Sequence, residues 1–480
     1  MEGLLTPHLI SVTFTDSIPL FALFFKALSP VLPETFQYFG IWGIFCFMMQ
    51  GSLAVLLLRR FTDSFIPPLI GSLVYILSPV VLQRMYGHTA LAGHWILLSA
   101  LCLWVYDSHL HKLSNRIALW SVQCAVSVLI HPYFVPMSLI FAFCCLLQNS
   151  ISSRKVAGNL LILAASVVSV FLTMYLLGAF YGGGSLSESG LGEYSFNLNG
   201  FINGGGRSYL LNTLPHFPEQ QEGYGCLGFG MLLGAGMAGT LLLLRDKYKA
   251  SSSKKVKGIR TVHPGLIAAS VAFFAFLFLA VSPRVTLGEH VLLVWPLPDF
   301  ILDLLSVFRA SGRFIWPAMY LLYTGIFAVI LQSPKHRAPA ILIPVIVAMQ
   351  LLDLKNAILT SRQFHSEVKT YVSPLQSPLW DTLAEGRRHL VLLDADSVVF
   401  NSELGYTLAK FALDHHMDIN TFNTARLPLE QVLVTADGHR ASLTSGGDPD
   451  VLYVSVKKET YAGVSVLVYQ MDGYFCAAPE

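Results

Sequence analysis

The chain has 480 residues, of which 54% are hydrophobic and only 12% charged, about half the charged share of an ordinary soluble protein. Its formal net charge is +2, without the strong positive charge that is typical of nucleic-acid-binding surfaces. The composition therefore predicts an integral membrane protein, argues against a soluble domain, and makes nucleic acid an unexpected partner.

Apolar stretches along the chain predict the transmembrane helices, since a span needs about 20 apolar residues. The candidate spans are 37–58, 64–82, 87–108, 156–178, 226–245, 264–282, 315–332 and 338–354. The stretch 117–148 has basic residues on both flanks, so we expect it to cross twice, with a turn at His131-Pro132. Each half has about 15 residues, or about 22 Å, less than the hydrocarbon core of about 30 Å. About ten helices follow, with the His131 turn below the outer surface.

The loops between these spans are of two kinds. Short basic loops contain Arg59-Arg60, Lys112 to Arg116, Arg154-Lys155, Arg245 to Arg260 and Lys335 to Arg337. Longer loops carry Asp, Glu, His, Gly and Asn. Because Lys and Arg near span ends stay in the cytoplasm, we predict that the longer loops lie on the outer face of the inner (cytoplasmic) membrane. The N-terminus then lies outside with no span to carry it there, so we expect a further span upstream.

Three regions follow from these patterns. Residues 1–36 are predicted to be an outer-face segment with an interfacial helix over 17–32, which is too short to span. Residues 37–354 form the transmembrane domain. Residues 355–480 are predicted to form a small extracytoplasmic α/β domain, because strand and helix patterns replace the apolar spans. We expect strands at 389–394, 451–456 and 464–471, and helices at 402–416 and 427–433.

Two further motifs have ordinary structural interpretations. Asp394-Ala395-Asp396 follows a predicted strand and has oxygen ligands suited to a divalent cation, but a turn with a helix cap is the favoured interpretation. The glycine-rich stretch 182–206 lacks the Lys-Ser/Thr of a phosphate-binding P-loop, so we expect a flexible outer loop. No cofactor is assigned, and a divalent metal is left open.

Asp16 is the first candidate catalytic residue. A carboxylate partly buried at a membrane surface can have a raised pKa, which suits a general base that activates an acceptor hydroxyl. The alternative is a helix cap: Asp16 or Ser17 would open the 17–32 helix, with Pro19 in its first turn. The two interpretations are compatible.

Histidines mark the next candidate positions for substrate binding. His88 and His94 are six residues apart, roughly 120° around a helix axis, which is poor geometry for zinc. His94 lies in an apolar span, where a polar residue is a functional candidate by default, with an interhelical hydrogen bond as the alternative. His131 and Tyr133 lie at the predicted break between two half-helices and are candidates for the same reason.

Charged residues near two later spans complete the predicted site. Glu222 precedes the span 226–245, and Arg309 and Arg313 precede the span 315–332. Arginines four apart share a helical face and would clamp a phosphate or pyrophosphate. The alternatives are contact with lipid headgroups, or ion pairs with Glu222 or Asp303.

Five motifs carry a family resemblance: FTDSIPL, GHTALAGHW, IHPYF, QEGYGCLG and FRASGRFIWP. In this order they resemble a family of uncharacterised bacterial multipass proteins usually grouped with the GT-C glycosyltransferase superfamily, over most of residues 6–350. The resemblance implies transfer of a sugar from a polyprenyl-phosphate donor to an extracytoplasmic acceptor. It implies that Asp16 is the catalytic base, and the outer position of Arg309 and Arg313 suits the donor phosphate. The first span of such enzymes has no counterpart here.

We therefore expect an inverting GT-C-like glycosyltransferase in the lipid bilayer, acting on a cell-envelope glycan, lipid or protein. The main rival is a lipid or glycolipid flippase or transporter, in which broken helices serve translocation. The third class is a non-catalytic membrane scaffold whose outer domain binds an envelope partner.

Overall fold

The structure is a computed structural model that describes residues 3, 5–8, 10–33, 36–85, 87–153, 156–181, 190–251, 263–333, 337–367, 371–425 and 427–479. Its contacts divide the chain into two compact units. The helical unit comprises Asp16–Thr173 and Ser187–Glu367. The α/β unit comprises Met1–Thr15, Met174–Leu186 and Val368–Glu480. The predicted residues Arg154-Lys155, 182–189, 252–262 and Lys335 lie outside the described residues.

Fourteen α-helices and one β-hairpin are described between residues 16 and 367, besides short 3₁₀-helices. The helices are α1 Pro19–Ala27, α2 Phe39–Arg59, α3 Ile66–Ile76, α4 Pro79–Arg84, α5 Trp95–Tyr106, α6 Leu113–Ile130, α7 Phe134–Ser153, α8 Val156–Leu176, α9 Phe229–Ser251, α10 Pro264–Val281, α11 Asp299–Ser306, α12 Ile315–Leu331, α13 Ala338–Asp353 and α14 Lys355–Ser366. The antiparallel hairpin joins β1 Arg284–Leu287 to β2 His290–Val294.

Seven of the described helices are long and apolar enough to cross a membrane, as expected of a multipass membrane protein. They are Phe39–Arg59, Thr89–His109, Leu113–Ile130, Phe134–Ser152, Val156–Leu176, Pro264–Val281 and Ser311–Leu331. The pair α13 and α14, bent by 60°, makes an eighth if it is one span. Ile66–Ile76 and Phe229–Leu244 are shorter apolar helices, so the count of ten stays a prediction.

Two span predictions were wrong in detail. The stretch 117–148 is not a pair of short half-helices, because α6 has 18 residues and α7 has 20. Polar residues such as Arg116 and Asn149 continue these helices beyond the apolar run that hydropathy detects. The stretch 64–82 is not one helix. Ser78 is extended (ψ 134°) before Pro79, which disfavours the helical conformation in the residue before it, and the chain therefore divides into α3 and α4.

The helices pack around an aromatic core. Helix α2 lies on α3 and α5, α7 lies on α5 and α10, and α12 lies on α9 and α10. Trp42, Trp120, Trp316 and Tyr320 are fully buried between them. Apolar side chains such as Leu160 and Val168 of α8 are exposed instead, as lipid-facing residues of a span are.

The α/β unit has one five-stranded sheet in the order β4-β3-β5-β7-β6. Its strands are β3 His389–Leu392, β4 Asp418–Ile419, β5 Val451–Ser455, β6 Val468–Met471 and β7 Tyr474–Ala477, and its helices are α15 Leu379–Ala384, α16 Ser397–Phe400, α17 Ser402–Asp414 and α18 Leu429–Leu443. Strand β3 is parallel to β4 and β5, whereas β7 is antiparallel to β5 and β6. The predicted strands and helices are confirmed as elements, with α18 longer than expected.

Asp394, at the end of β3, has a structural role. Its carboxylate accepts hydrogen bonds from Ser455 Oγ, Val456 N (3.0 Å) and Thr460 Oγ1 (2.8 Å). Asp394 is buried, so these bonds fix the end of β3 to the segment that follows β5. The turn interpretation of Asp394-Ala395-Asp396 is therefore the better one, but Asp396, at the cap position of α16, makes no side-chain hydrogen bond to that helix.

Candidate functional site

The segments that carry Asp16 and His88 are both held by α2. Tyr38 Oη donates to Ser17 O, and Trp42 Nε1 donates to Thr89 O at 2.8 Å. Each segment also contains a non-glycine residue in the left-handed region, Ile18 (φ 51°) and His88 (φ 54°). This conformation is uncommon, and for a β-branched residue such as Ile18 it is strained, so the surrounding packing must impose it.

Asp16 does not cap α1, which corrects one of the two interpretations of this residue. Ile18 occupies the cap position, and no side chain caps the helix. Pro19 is in the first turn, as expected. Because Ile18 turns the backbone into the left-handed region, the Asp16 carboxylate is available for contacts outside its own helix.

The Asp16 carboxylate lies between two imidazoles. His88 Nδ1 is 2.6 Å from Asp16 Oδ2, and His131 Nε2 is 3.7 Å from Asp16 Oδ1. The Tyr133 backbone N–H donates to His131 Nδ1 at 3.2 Å. In a neutral imidazole one nitrogen accepts and the other carries the proton, so the His131 proton is on Nε2, towards Asp16. The side chain of Asp16 is 37% exposed, so the carboxylate remains accessible.

Electrostatics keep Asp16 ionised. Burial alone would raise its pKa, but the hydrogen bond from His88 and the electrostatic effect of His131, His88 and Arg313 together outweigh burial and lower the pKa below its ordinary value. Burial lowers the pKa of His131 to about 3, although Asp16 opposes this shift. At neutral pH the site therefore holds a carboxylate beside a neutral imidazole. The raised pKa considered for Asp16 is not found.

A second cluster joins Glu222 to two arginines. Arg313 donates to Glu222 Oε2 through Nη2 (2.7 Å) and Nε (3.0 Å), and Arg84 Nη2 donates to the same oxygen at 2.9 Å. Burial alone would raise the pKa of Glu222, but Arg313 and Arg84 lower it to about 2. Two guanidinium groups share one carboxylate, so the triad Arg84–Glu222–Arg313 has a net charge of +1.

Close backbone approach brings Glu222 and Arg313 together. They lie in two single-turn helices, Pro218–Gly223 and Ser311–Phe314. A Cβ atom on Gly312 would lie 2.5 Å from Gly223 Cα, a distance that real Cβ atoms do not show, so only glycine allows this approach. Within the Glu222 turn, Gln220 donates from Nε2 to Ser195 Oγ (3.0 Å) and Thr286 Oγ1 (2.7 Å).

Tyr133 connects the two clusters. Its ring lies 5.5 Å from the His131 ring and 4.6 Å from the guanidinium carbon of Arg313. Its hydroxyl accepts a hydrogen bond from Ala310 N at 2.9 Å. A guanidinium over an aromatic ring is a favourable cation–π contact. Asp16, His88, His131, Tyr133 and the triad therefore form one continuous site.

His94 lies beneath this site and away from solvent. It is fully buried, and its Nδ1 is 2.9 Å from Tyr320 Oη of α12, the interhelical hydrogen bond given as its alternative role. Its ring is 4.6 Å from Trp316, over which Arg84 also lies at 5.2 Å. His94 supports the floor of the site and has no surface for direct substrate contact.

Arg309 and Arg313 do not form the predicted paired clamp. Ala310 (φ −83°, ψ 64°) interrupts the helix between them, so spacing by four does not place them on one face. Arg309 is exposed and lies over the Tyr194 ring at 4.9 Å, while Arg313 is buried against Glu222. Pairing of Arg313 with Glu222 was one of the alternatives given.

An apolar groove adjoins the site. It has a volume of about 240 Å³ and is lined by residues of α10, α11 and their neighbours, including Phe278, Trp295 and Leu304. Phe308 and Phe314 also line it, and their rings lie 5.3 and 6.1 Å from the Tyr133 ring. The groove therefore begins where the charged site ends.

The family model for a domain of unknown function, DUF6311, matches residues 1–355, and the model for the DUF6311 C-terminal domain matches residues 379–479. The chain belongs to the DUF6311 family. No curated protein and no solved structure matches it. The site lies entirely within the residues that the first of these models matches.

Arg84 is the residue of this DUF6311 site that sequence reasoning missed. It ends α4 with a side chain only 4% exposed, and it lies between Glu222 and Trp316. The signal for it was available: an arginine beside the predicted outer loop Gly87-His88 departs from the bias that keeps basic residues on the cytoplasmic side.

The chemistry available in this DUF6311 protein combines opposite charges at short range. The Asp16 carboxylate can accept a proton, and the triad can stabilise an anion. Among the described residues, no group of three or more His, Cys, Asp or Glu side chains has an arrangement that could hold a metal ion.

Proposed function

We propose that the protein is a membrane glycosyltransferase. It moves a sugar from a polyprenyl-phosphate-linked donor to a cell-envelope glycan, lipid or protein on the outer side of the inner membrane. The observation that supports this best is that an ionised, accessible carboxylate lies beside a cationic triad, which adjoins an apolar groove. Transfer from a lipid-linked donor needs a base, a phosphate-binding group and room for the lipid.

In the proposed reaction, Asp16 removes the proton of the acceptor hydroxyl as that oxygen attacks the anomeric carbon of the sugar. The new glycosidic bond forms on the face opposite the phosphate, so the configuration inverts. The bond from the anomeric carbon to the phosphate oxygen breaks, and polyprenyl phosphate leaves with the electron pair. His88 orients the carboxylate through its 2.6 Å hydrogen bond.

The triad would stabilise the leaving phosphate. Fixed cations in a site with little water stabilise developing negative charge without having to reorganise. Glu222 holds Arg84 and Arg313 in place while leaving a net positive charge. The apolar groove beyond Tyr133 would take the first part of the polyprenyl chain, and Arg309, exposed nearby, would meet the phosphate as it enters.

The test is sugar transfer by the purified chain in proteoliposomes, from radiolabelled polyprenyl-phosphate sugars to extracted envelope lipids and glycans. Asp16→Asn is expected to lower the rate by about 10²- to 10⁴-fold, the usual contribution of a general base. Asp303→Asn removes an exposed carboxylate of α11 and should leave the rate unchanged. Repeating the assay with EDTA tests for a divalent metal. Transfer that survives Asp16→Asn would contradict the assignment of the base.

The alternative is a flippase or transporter, and one observation favours it. Gln50 Nε2 donates to Tyr320 Oη at 3.0 Å, which makes a buried polar string with His94 inside the helices. Gln50 Oε1 and His94 Nε2 have no hydrogen-bond partner among the described residues, and polar groups inside spans are candidates for contact with a polar solute. Movement of a fluorescent lipid-linked sugar across the bilayer that survives Asp16→Asn, without sugar transfer, would favour this function. If the folded protein shows neither sugar transfer nor lipid movement, the scaffold function is favoured.

A further inference from the structure

A second cavity, separate from the apolar groove, lies in the helical unit on the other side of the Glu222 turn. It has a volume of about 210 Å³ and is lined by polar residues and glycines of the segment around Asn203 and of the turn Pro218–Gly223. Among the described residues that line it, Arg207 is the one arginine and none is acidic. The residues that line the cavity therefore contribute one fixed positive charge and no negative charge.

Arg207 is positioned without an ion pair. Its guanidinium carbon lies 4.8 Å above the Tyr224 ring, and its Nη1 donates to Gly205 O at 3.2 Å. Within the described part of the chain it makes no salt bridge. The remaining guanidinium N–H groups are thus available to a ligand, and a planar guanidinium recognises carboxylate and phosphate bidentately.

The loop that carries Arg207 is ordered by Asn203. Asn203 Oδ1 accepts from Gly205 N (3.0 Å) and Leu214 N (2.9 Å), and its Nδ2 donates to Leu214 O (3.2 Å). Gly205 has φ +53°, and a Cβ atom there would lie 2.9 Å from Tyr224 Cε2, so glycine is needed to keep the ring in place. The described part of the glycine-rich stretch is a loop, as expected, and these hydrogen bonds hold it around Asn203.

Two further polar groups extend the recognition surface. His216 Nδ1 lies 2.9 Å from Leu214 O and must donate to it, because a carbonyl oxygen only accepts. This leaves Nε2 of His216 for a ligand hydroxyl. The Thr213 hydroxyl lines the same cavity. Together with Arg207 they offer a guanidinium, an imidazole and a hydroxyl contact, a pattern suited to a sugar that carries an acidic group.

The cavity and the Asp16 site share a wall. Gln220, Gln221 and Gly223 line the cavity, while Glu222, between them in the same turn, pairs with Arg84 and Arg313. A ligand in the cavity is thus separated from the triad by a single turn of the backbone.

We propose that this cavity binds an anionic sugar, with its carboxylate or phosphate on Arg207 and its hydroxyls on His216 and Thr213. We further propose that this sugar belongs to the acceptor. The acceptor role rests on the proposed glycosyltransferase function, whereas the binding itself does not.

The experiment measures binding of D-glucuronate, inorganic phosphate and D-glucose to the full chain in lipid nanodiscs by isothermal titration calorimetry. Glucuronate or phosphate should bind, and glucose should bind at least about tenfold more weakly, because it lacks the charge-assisted contact. Arg207→Gln should weaken anion binding by about 10- to 100-fold. The matched control is Arg284→Gln, since Arg284 lies over the Phe217 ring at 4.6 Å in the same way but outside the cavity.

The outcomes separate the two proposals. Preference for glucuronate identifies a uronic acid as the bound group, and preference for phosphate identifies a phosphorylated sugar. Equal binding by glucose, anion binding that survives Arg207→Gln, or the same loss in Arg284→Gln would overturn the assignment of the cavity, as would no anion binding at all. Binding is also measured in Asp16→Asn. Arg207-dependent binding there, with no transfer by the unsubstituted chain, would count against the transferase and leave the cavity intact.

Discussion

Two buried or partly buried acids, Asp107 and Asp16, lie at opposite ends of the same helices. Helix α5 begins just after His94 and ends at Asp107. Helices α6 and α7 have one end near His131 and Tyr133, and the other near the residues that surround Asp107. The two ends therefore share a scaffold, and differences between them reflect the side chains placed there.

At the Asp107 end every polar contact is completed within the protein. Arg116 Nε donates to Asp107 Oδ1 at 2.9 Å, and Asn149 Nδ2 donates to Oδ2 at 2.8 Å. Asn159 accepts from Arg116 and donates to Ser150 Oγ. The side chains of Asp107 and Arg116 are only 7% and 14% exposed. A buried network whose members are all satisfied makes the packing rigid.

At the Asp16 end the contacts are incomplete. Asp16 is 37% exposed, and its Oδ1 is approached by His131 only at 3.7 Å, beyond hydrogen-bond distance. Arg84 Nε and His94 Nε2 have no partner among the described residues. The accessible, incompletely bonded Asp16 carboxylate is open to a ligand, whereas each unpaired buried group costs free energy that the rest of the fold has to offset. We infer that the Asp107 end stabilises the fold and the Asp16 end carries the function.

The largest expected effect on stability is at Asp107. Asp107→Ala leaves Arg116 buried without its carboxylate, and should lower the free energy of unfolding by about 3–5 kcal/mol. The measurement is unfolding in mixed micelles by titration with denaturing detergent. Asp63→Ala, an exposed acid close to the same end, is the control and should change stability little. If Asp107→Ala and Asp63→Ala are equally stable, the Asp107 network does not stabilise the fold as inferred.

A smaller effect is expected at Glu222. Glu222→Gln leaves Arg84 and Arg313 without a shared carboxylate, but Glu222 is 28% exposed and water compensates in part. Stability should fall by about 2 kcal/mol, and sugar transfer should fall with it because the arginines lose their position. Glu219→Gln, in the same turn and exposed, is the control. If Glu222→Gln is as active and as stable as Glu219→Gln, Glu222 does not position the two arginines.

Hydropathy and local patterns predict most elements of this fold. Five predicted spans, at 37–58, 87–108, 156–178, 264–282 and 315–332, coincide with apolar helices long enough to cross a membrane, and strands β3 and β5 were placed correctly. Element ends were predicted less well, for two physical reasons. Helices α6 and α7 extend into polar residues that the Asp107 network satisfies, and Ser78-Pro79 divides an apolar run that hydropathy treats as one.

The site was only partly accessible to sequence reasoning. Asp16, His88, His131, Tyr133, Glu222 and Arg313 were named from loop position and residue type, and the structure brings them together. The pairing of Glu222 with Arg84 depends on a contact over 138 residues, and the separation of Arg309 from Arg313 depends on the backbone at Ala310. Neither is encoded in a local pattern.

The smallest expected effect is a dependence of stability on pH that arises at the Asp16 end. Burial lowers the pKa of His131 from 6.5 to about 3, so the folded chain holds it neutral while the unfolded chain protonates it below about pH 6.5. The contribution of His131 to the free energy of unfolding is fully present above about pH 6.5 and decreases as the pH falls towards 3. Between about pH 6.5 and pH 4.5 the loss should be about 2 kcal/mol, since each pH unit between the two pKa values costs about 1.4 kcal/mol and the unit next to 6.5 costs less.

His131→Gln should remove this contribution and flatten the decrease in stability over that range, as measured by detergent unfolding at a series of pH values. His109→Gln changes an exposed histidine at the Asp107 end and should keep the slope of the unsubstituted chain. Asp16 does not interfere, because its lowered pKa keeps it ionised across this range. If the slope survives His131→Gln and disappears in His109→Gln, the pH-sensitive end is the one with the completed network. That result would contradict the inference that the Asp16 end, with its incomplete contacts, is the functional one.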